Sequence, residues 1–152
     1  MKHIALSLAL MSMLATSALA QVNVADPWVR ATVPQQKATG AFMSITSVKG
    51  GRLIEARSPV AGVVEIHEMK METNMMKMRA IPGLDLPAGK AVALAPSGYH
   101  VMLMELKQPM KEGESVPITL VVEDKDKKRE TIEVKALVRP LTTDAKKSSH
   151  GH

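Results

Sequence analysis

The stretch VVEIHEMKMETNMMKMRAIPG, residues 63–83, admits two readings, and the choice between them decides the fold class. As a helix it is rich in good helix formers, and His67, Met71, Met75 and Met78 fall on one stripe. As a β-hairpin it has a β-branched lead-in at Val63, Val64 and Ile66, a turn at Thr73-Asn74 and a closure at Pro82-Gly83. β-Branched residues pack well on a pleated surface, and Asn tolerates the backbone angles of a tight turn. These three signals together favour the hairpin. Alternation along its first arm then places His67, Met69 and Met71 on one face, with Glu68, Lys70 and Glu72 on the other. On the return arm Met76 and Met78 share a face opposite Lys77 and Arg79.

Working outward, Pro and Gly punctuate short apolar runs on both sides of the hairpin. The predicted strands are Val22–Ala25, Trp28–Ala31, Gly40–Ser47, Leu53–Ser58, Val63–Met71, Met75–Ile81, Ala91–Ala95, Tyr99–Leu106, Val116–Glu123 and Glu130–Val138. Many short strands with regular turn signals argue for an all-β sandwich or barrel. DKDKKR, residues 124–129, reads as the charged tip of a hairpin between the last two strands. In GYHVMLMEL, residues 98–106, Val101 and Leu103 suit a core, while His100, Met102 and Met104 occupy the face that does not need burial.

Residues 1–20 combine a basic start at Lys2, an apolar stretch from Ile4 and a small-x-small ending at Ala18-Leu19-Ala20. That pattern is a cleaved signal peptide. It leaves residues 21–140 as one folded domain and 141–152 as a polar, disordered tail. The expected location is therefore an exported, soluble one, most simply a bacterial periplasm, with no stable membrane insertion. The sequence contains no Cys. Disulfides, thiolate nucleophiles and blue-copper sites, which need a Cys ligand, are all excluded. Without Lys2, 19 Lys and Arg stand against 15 Asp and Glu, mostly interspersed. Beyond the leader the only aromatics are Trp28, Phe42 and Tyr99. A nucleic-acid surface would want a basic patch with stacking platforms, so that function is set aside. No Ser–His–Asp arrangement or paired carboxylate suggests an enzyme.

What remains is a concentration of soft donors. Nine Met follow the leader, and seven of them lie between Met69 and Met104. The only two His outside both leader and tail, His67 and His100, border or enter that region. A single Met is ordinarily a core gap-filler, but this clustering in a Cys-free exported chain points to a metal. Thioether suits Cu(I), whereas hard cations prefer oxygen and Zn²⁺ prefers thiolate, imidazole and carboxylate. Two Met and two His form a neutral donor set, resistant to oxidation and suited to reversible holding.

The chain here resembles the PCu(A)C family of periplasmic copper chaperones, whose signature is a His, ten residues, a Met, twenty-one residues, then His-x-Met. His67, Met78, His100 and Met102 fit that spacing without adjustment. EIHEMKMETNMMKMR, GLDLPAGKAVAL and GYHVMLMEL also look like the family, and the resemblance covers about residues 24–138. It implies a cupredoxin-like Greek-key β-sandwich with a solvent-near Cu(I) site made by those four residues. It also implies delivery of copper toward the CuA centre of cytochrome c oxidase, with the CuA-bearing subunit as partner and a thioredoxin-like copper chaperone as an assistant. A monomer is expected. Met69, Met71, Met76 and Met104 are expected to pack, or to form a secondary soft shell. In the tail, His150 and His152 are candidates for a second, Cu(II) site. The competing functions are copper buffering or resistance, with several ions sequestered, and an adhesion or assembly module with a Met-rich face.

Overall fold

The structure, a computed structural model, describes residues 21–142. The expected leader at 1–20 and the tail histidines His150 and His152 lie outside the described residues. Ten strands follow in order: β1 Val22–Arg30, β2 Ala38–Ser47, β3 Gly51–Arg57, β4 Ala61–Glu72, β5 Met75–Ile81, β6 Leu84–Leu86, β7 Ala91–Leu94, β8 His100–Leu106, β9 Ser115–Glu123 and β10 Arg129–Arg139. The described residues contain no helix. The strands form one continuous sheet in the order β5-β4-β8-β2-β1-β10-β9-β3-β6, with β7 also paired to β2. β3 comes back against β4, so the sheet folds over itself into the all-β, cupredoxin-like Greek-key sandwich. Pairing is antiparallel except between β1 and β10.

The segment at 63–83 is a hairpin. β4 and β5 pair from Ile66↔Ile81 to Glu72↔Met75. Thr73 and Asn74 turn the chain with φ of 47° and 60°. Two successive left-handed residues give the twist that matches the flanking strands. At the other charged tip, Asp124 Oδ1 accepts from the Asp126 and Lys128 amides at 2.8 and 3.0 Å. There the side chain caps the turn between β9 and β10.

Several strand ends move by one or two residues from the sequence expectation, and three differences have a specific physical reason. The two short strands predicted at 22–31 are one strand, β1, with a bulge between Ala25 and Trp28. Asp26 sits there at φ 49°. The bulge absorbs Asp26-Pro27, which locally looks like a break, and Pro at such a point forfeits no ladder bond. Secondly, β6 at Leu84–Leu86 lies outside the predicted strands, because its three residues are too few to display a period. Finally, β8 starts at His100, one residue later than expected, because the Tyr99 carbonyl accepts from the Ala95 amide in the loop at 2.8 Å.

The core is a single apolar cluster drawn from both layers, including Val29, Ile45, Leu53, Val101, Leu103, Ile118, Leu120 and Val138. Burial of this apolar surface is the main stabilising term at roughly 25 cal/mol per Å². Alternation in β8 sends Val101 and Leu103 into that cluster. The same alternation turns His100, Met102 and Met104 the other way.

Candidate metal centre

Strands β5, β4, β8 and β2 are consecutive neighbours, and their registers assemble the donors. His67 pairs with His100 across β4–β8, and Met69 with Met78 across β4–β5. Met102 pairs with Glu65 on one side and Gly40 on the other. Directly paired residues share a face, and a face recurs every second residue. Glu65, His67, Met69, Met78, His100 and Met102 therefore stand on one surface, although they come from three strands.

Three of the four spacing-selected residues, Met78, His100 and Met102, line one cavity of about 140 Å³. The fourth, His67, sits beside it, its ring centroid 5.7 Å from that of His100 in an edge-on arrangement. Both imidazoles are buried, at 7% and 4% exposure, whereas Met78 is 47% exposed. The expectation that the His100 face needs no burial is corrected here. Phe42 screens His100 from one side, its centroid 6.2 Å from that ring and 4.5 Å from Trp28. Gly40 makes room for it, since a Cβ there would lie 2.5 Å from Phe42 Cζ. Phe42 and His100 thus line the cavity together, and Met78 is its most exposed thioether.

The hydrogen bonds determine which nitrogens are free. His100 Nδ1 donates to the Gly98 carbonyl at 3.1 Å. A carbonyl only accepts, so the neutral ring carries its lone pair on Nε2, which faces Met78 Sδ at 3.1 Å. Two soft donors point at each other with no proton between them. In the neutral His67 ring, Nε2 donates to Glu65 Oε2 at 2.7 Å, so the lone pair lies on Nδ1, which is buried and without a hydrogen-bond partner. Buried polar atoms are rarely left so, and an orphaned lone pair is what a metal ligand presents before loading. Among the described residues no three His, Asp or Glu cluster into a metal-holding group, and the donors beside the two imidazoles in this cavity are thioethers. A larger, shallower concavity of about 560 Å³ is bounded by residues such as Arg52, Lys90 and Tyr99 and has neither His nor Met in its walls.

Burial pushes the His100 pKa below its ordinary 6.5, the Gly98 carbonyl opposes this, and repulsion from His67 adds to it. The neutral ring, the form able to bind a metal, therefore persists to lower pH than in a free imidazole. In the metal-free protein the NMR titration midpoint of His100 should lie below 6.5. The unfolded chain takes up this proton first, so the His100 contribution to stability is full above 6.5 and is lost as pH falls through the lowered folded value. A midpoint at or above 6.5 would contradict the buried placement.

Sequence spacing did not select Met69, which lines the same cavity as Met78, His100 and Met102. Glu65 was also passed over, although it lies two residues before His67 and therefore on the same face. Gly40 and Phe42 come from β2, and no local signal ties that strand to the motif. Met104 shares the face but pairs with Val63 and Ala38, away from the cavity walls.

Residues 22–138 match the family described as "Putative lipoprotein LpqE-like". A curated relative, "Putative lipoprotein Lxx21020" of Leifsonia xyli subsp. xyli (strain CTCB07), is 33% identical over 106 residues. The match covers 68% of this chain and 63% of that protein, so the chain spans somewhat less than two thirds of its relative's length. Among solved structures, the Cu(I) form of DR1885 from Deinococcus radiodurans is 33% identical with a TM-score of 0.61, covering 81% of this chain and 80% of that one. The copper-bound PCuAC domain from PmoF2 superposes at a TM-score of 0.65 with 23% identity, covering 81% and 96%. No helix among the described residues is long and apolar enough to cross a membrane.

Proposed function

The chain belongs to the LpqE-like, PCu(A)C family, and from that premise we propose that it is a periplasmic copper chaperone, not an enzyme. It holds one Cu(I) through His67 Nδ1, His100 Nε2, Met78 and Met102, and passes it toward the CuA centre of cytochrome c oxidase. The observation that carries this reading is the pair of unprotonated imidazole nitrogens, one orphaned and one facing a thioether. The exposure of Met78 supports transfer as well as holding, because a partner's ligand can replace that thioether first and the buried imidazoles last. A thioredoxin-like copper chaperone is the natural assistant in reducing or relaying the ion. The folded domain spans residues 21–140, behind a cleaved leader at 1–20, and the tail histidines His150 and His152 offer a separate Cu(II) position.

X-ray absorption on the Cu(I)-loaded protein tests the donor set directly, with an equal count of sulfur and nitrogen neighbours expected. A shell of sulfur alone, or of nitrogen and oxygen alone, would reject it. In cells, deleting the gene should lower terminal oxidase activity at limiting copper. Unchanged activity with increased copper sensitivity would favour buffering instead.

Glu65 gives a separate prediction. Its carboxylate holds the His67 ring in the tautomer that frees Nδ1. Outer partners of this kind change metal affinity by about 10–100-fold. Glu65→Gln should weaken Cu(I) binding at the low end of that range, because an amide oxygen still accepts from Nε2. Glu65→Ala should fall at the high end. Equal affinity of both variants and the parent, by competition with a chromophoric chelator, would remove Glu65 from the site.

A further inference from the structure

Past the metal centre, the β4–β5 hairpin continues toward its turn with a sharp division of chemistry between its two faces. On the face of the centre, the paired positions are Met69↔Met78 and then Met71↔Met76, with no other residue type. The opposite face carries the charges and a single methionine, Met75 opposite Glu72; there Arg79 Nε reaches Glu68 at 2.6 Å and Lys77 Nζ reaches Glu72 at 3.6 Å. Met71 is 61% exposed and Met76 47% exposed. They fill no core, so packing does not account for them, and large apolar side chains left in water gain nothing from burial.

Their spacing suits a soft cation. Directly opposed residues in an antiparallel pair have Cβ atoms about 4.5–5.5 Å apart, and flexible thioethers at that separation can bracket a single ion. The next pair, Met69↔Met78, is one two-residue step along the strands, about 7 Å away. Met69 and Met78 in turn line the cavity with His100 and Met102.

We propose that Met71 and Met76 form an outer, weaker position for a soft monovalent cation, from which Cu(I) steps inward through Met69 and Met78 to the buried histidines. This rests on the copper reading above and adds the entry route to it. The step is ligand exchange alone. A Met69 or Met78 thioether bonds to the ion as a Met71 or Met76 thioether leaves, and the ion stays Cu(I) with no proton or electron moved. The outer pair is held by two sulfurs without imidazole, which makes it the weaker and faster of the two positions.

Ag(I), a soft monovalent cation without redox chemistry, tests this on the full chain by methionine-methyl NMR. The first equivalent should move the Met78 and Met102 methyls, and the second the Met71 and Met76 methyls. In the Met71→Leu/Met76→Leu double variant, first-equivalent binding should be retained and second-equivalent binding at the hairpin lost. Leu conserves volume at these exposed positions, so the fold is kept. Methyls of Met71 and Met76 that stay fixed through two equivalents would overturn the outer position, as would a double variant that takes up the second ion with unchanged affinity. If the Met78 and Met102 methyls fail to move, the inner centre itself is rejected, and the two failures are read separately.

Discussion

Replacing Met78 by Leu is expected to weaken Cu(I) binding by about two orders of magnitude while leaving the fold intact. Apparent binding energies of four-ligand structural zinc sites, about 10–16 kcal/mol, give a scale of roughly 3 kcal/mol per ligand, or about a hundredfold. Met78 also supplies the sulfur 3.1 Å from His100 Nε2, so its loss leaves that nitrogen without its facing donor. Leu keeps the volume, and the position is 47% exposed, so little stability is at stake. Competition against a colorimetric Cu(I) chelator gives the affinity. Met104→Leu is the matched control, a Met on the same face but outside the cavity walls, and its affinity should not change. The site assignment is falsified if parent and Met78→Leu compete equally.

The second large effect is on stability. Leu103→Ala should cost about 3–4 kcal/mol, within the range for a leucine emptied from a packed core. Leu103 is fully buried in β8, paired with Val64 in β4 and Thr39 in β2, so its neighbours are held by two ladders and cannot collapse freely. A loss of that size is a large share of the 5–15 kcal/mol typical of a domain. The urea midpoint should fall markedly with an unchanged m-value. Because the same strand carries His100 and Met102, Cu(I) bound only by the folded state should restore part of the loss, about 2.7 kcal/mol at a free concentration a hundredfold above Kd. An unaltered midpoint in the metal-free variant would show that the Val101–Leu103 face is not core.

Much of this was legible in the chain itself, for reasons that differ from residue to residue. The hairpin at 63–83 could be read because its turn, its β-branched entry and its Pro-Gly exit are local features. The faces of β8 were equally readable, since side-chain alternation follows from backbone geometry. Burial of those faces was not. His100 is enclosed partly by Phe42, and Phe42 reaches it only because β2 pairs with β8 across some sixty residues of sequence. Nothing near His100 announces that neighbour. The bulge that makes β1 one strand was hidden for a similar reason. Asp26-Pro27 breaks a strand locally, and pairing with β2 on either side restores it.

The chemistry is written in the chain's residue types and their spacing: soft donors, no thiolate, and a spacing shared with one family. Tertiary structure decided that these donors meet. His67 opposes His100 and Met69 opposes Met78 only in the observed register. A slip of one residue would send every donor of the displaced strand to the opposite face. Side-chain period is a property of each strand alone. Register is set by the packing of Val101, Leu103 and their distant partners in a common core, and that packing exists only once the sheet has folded.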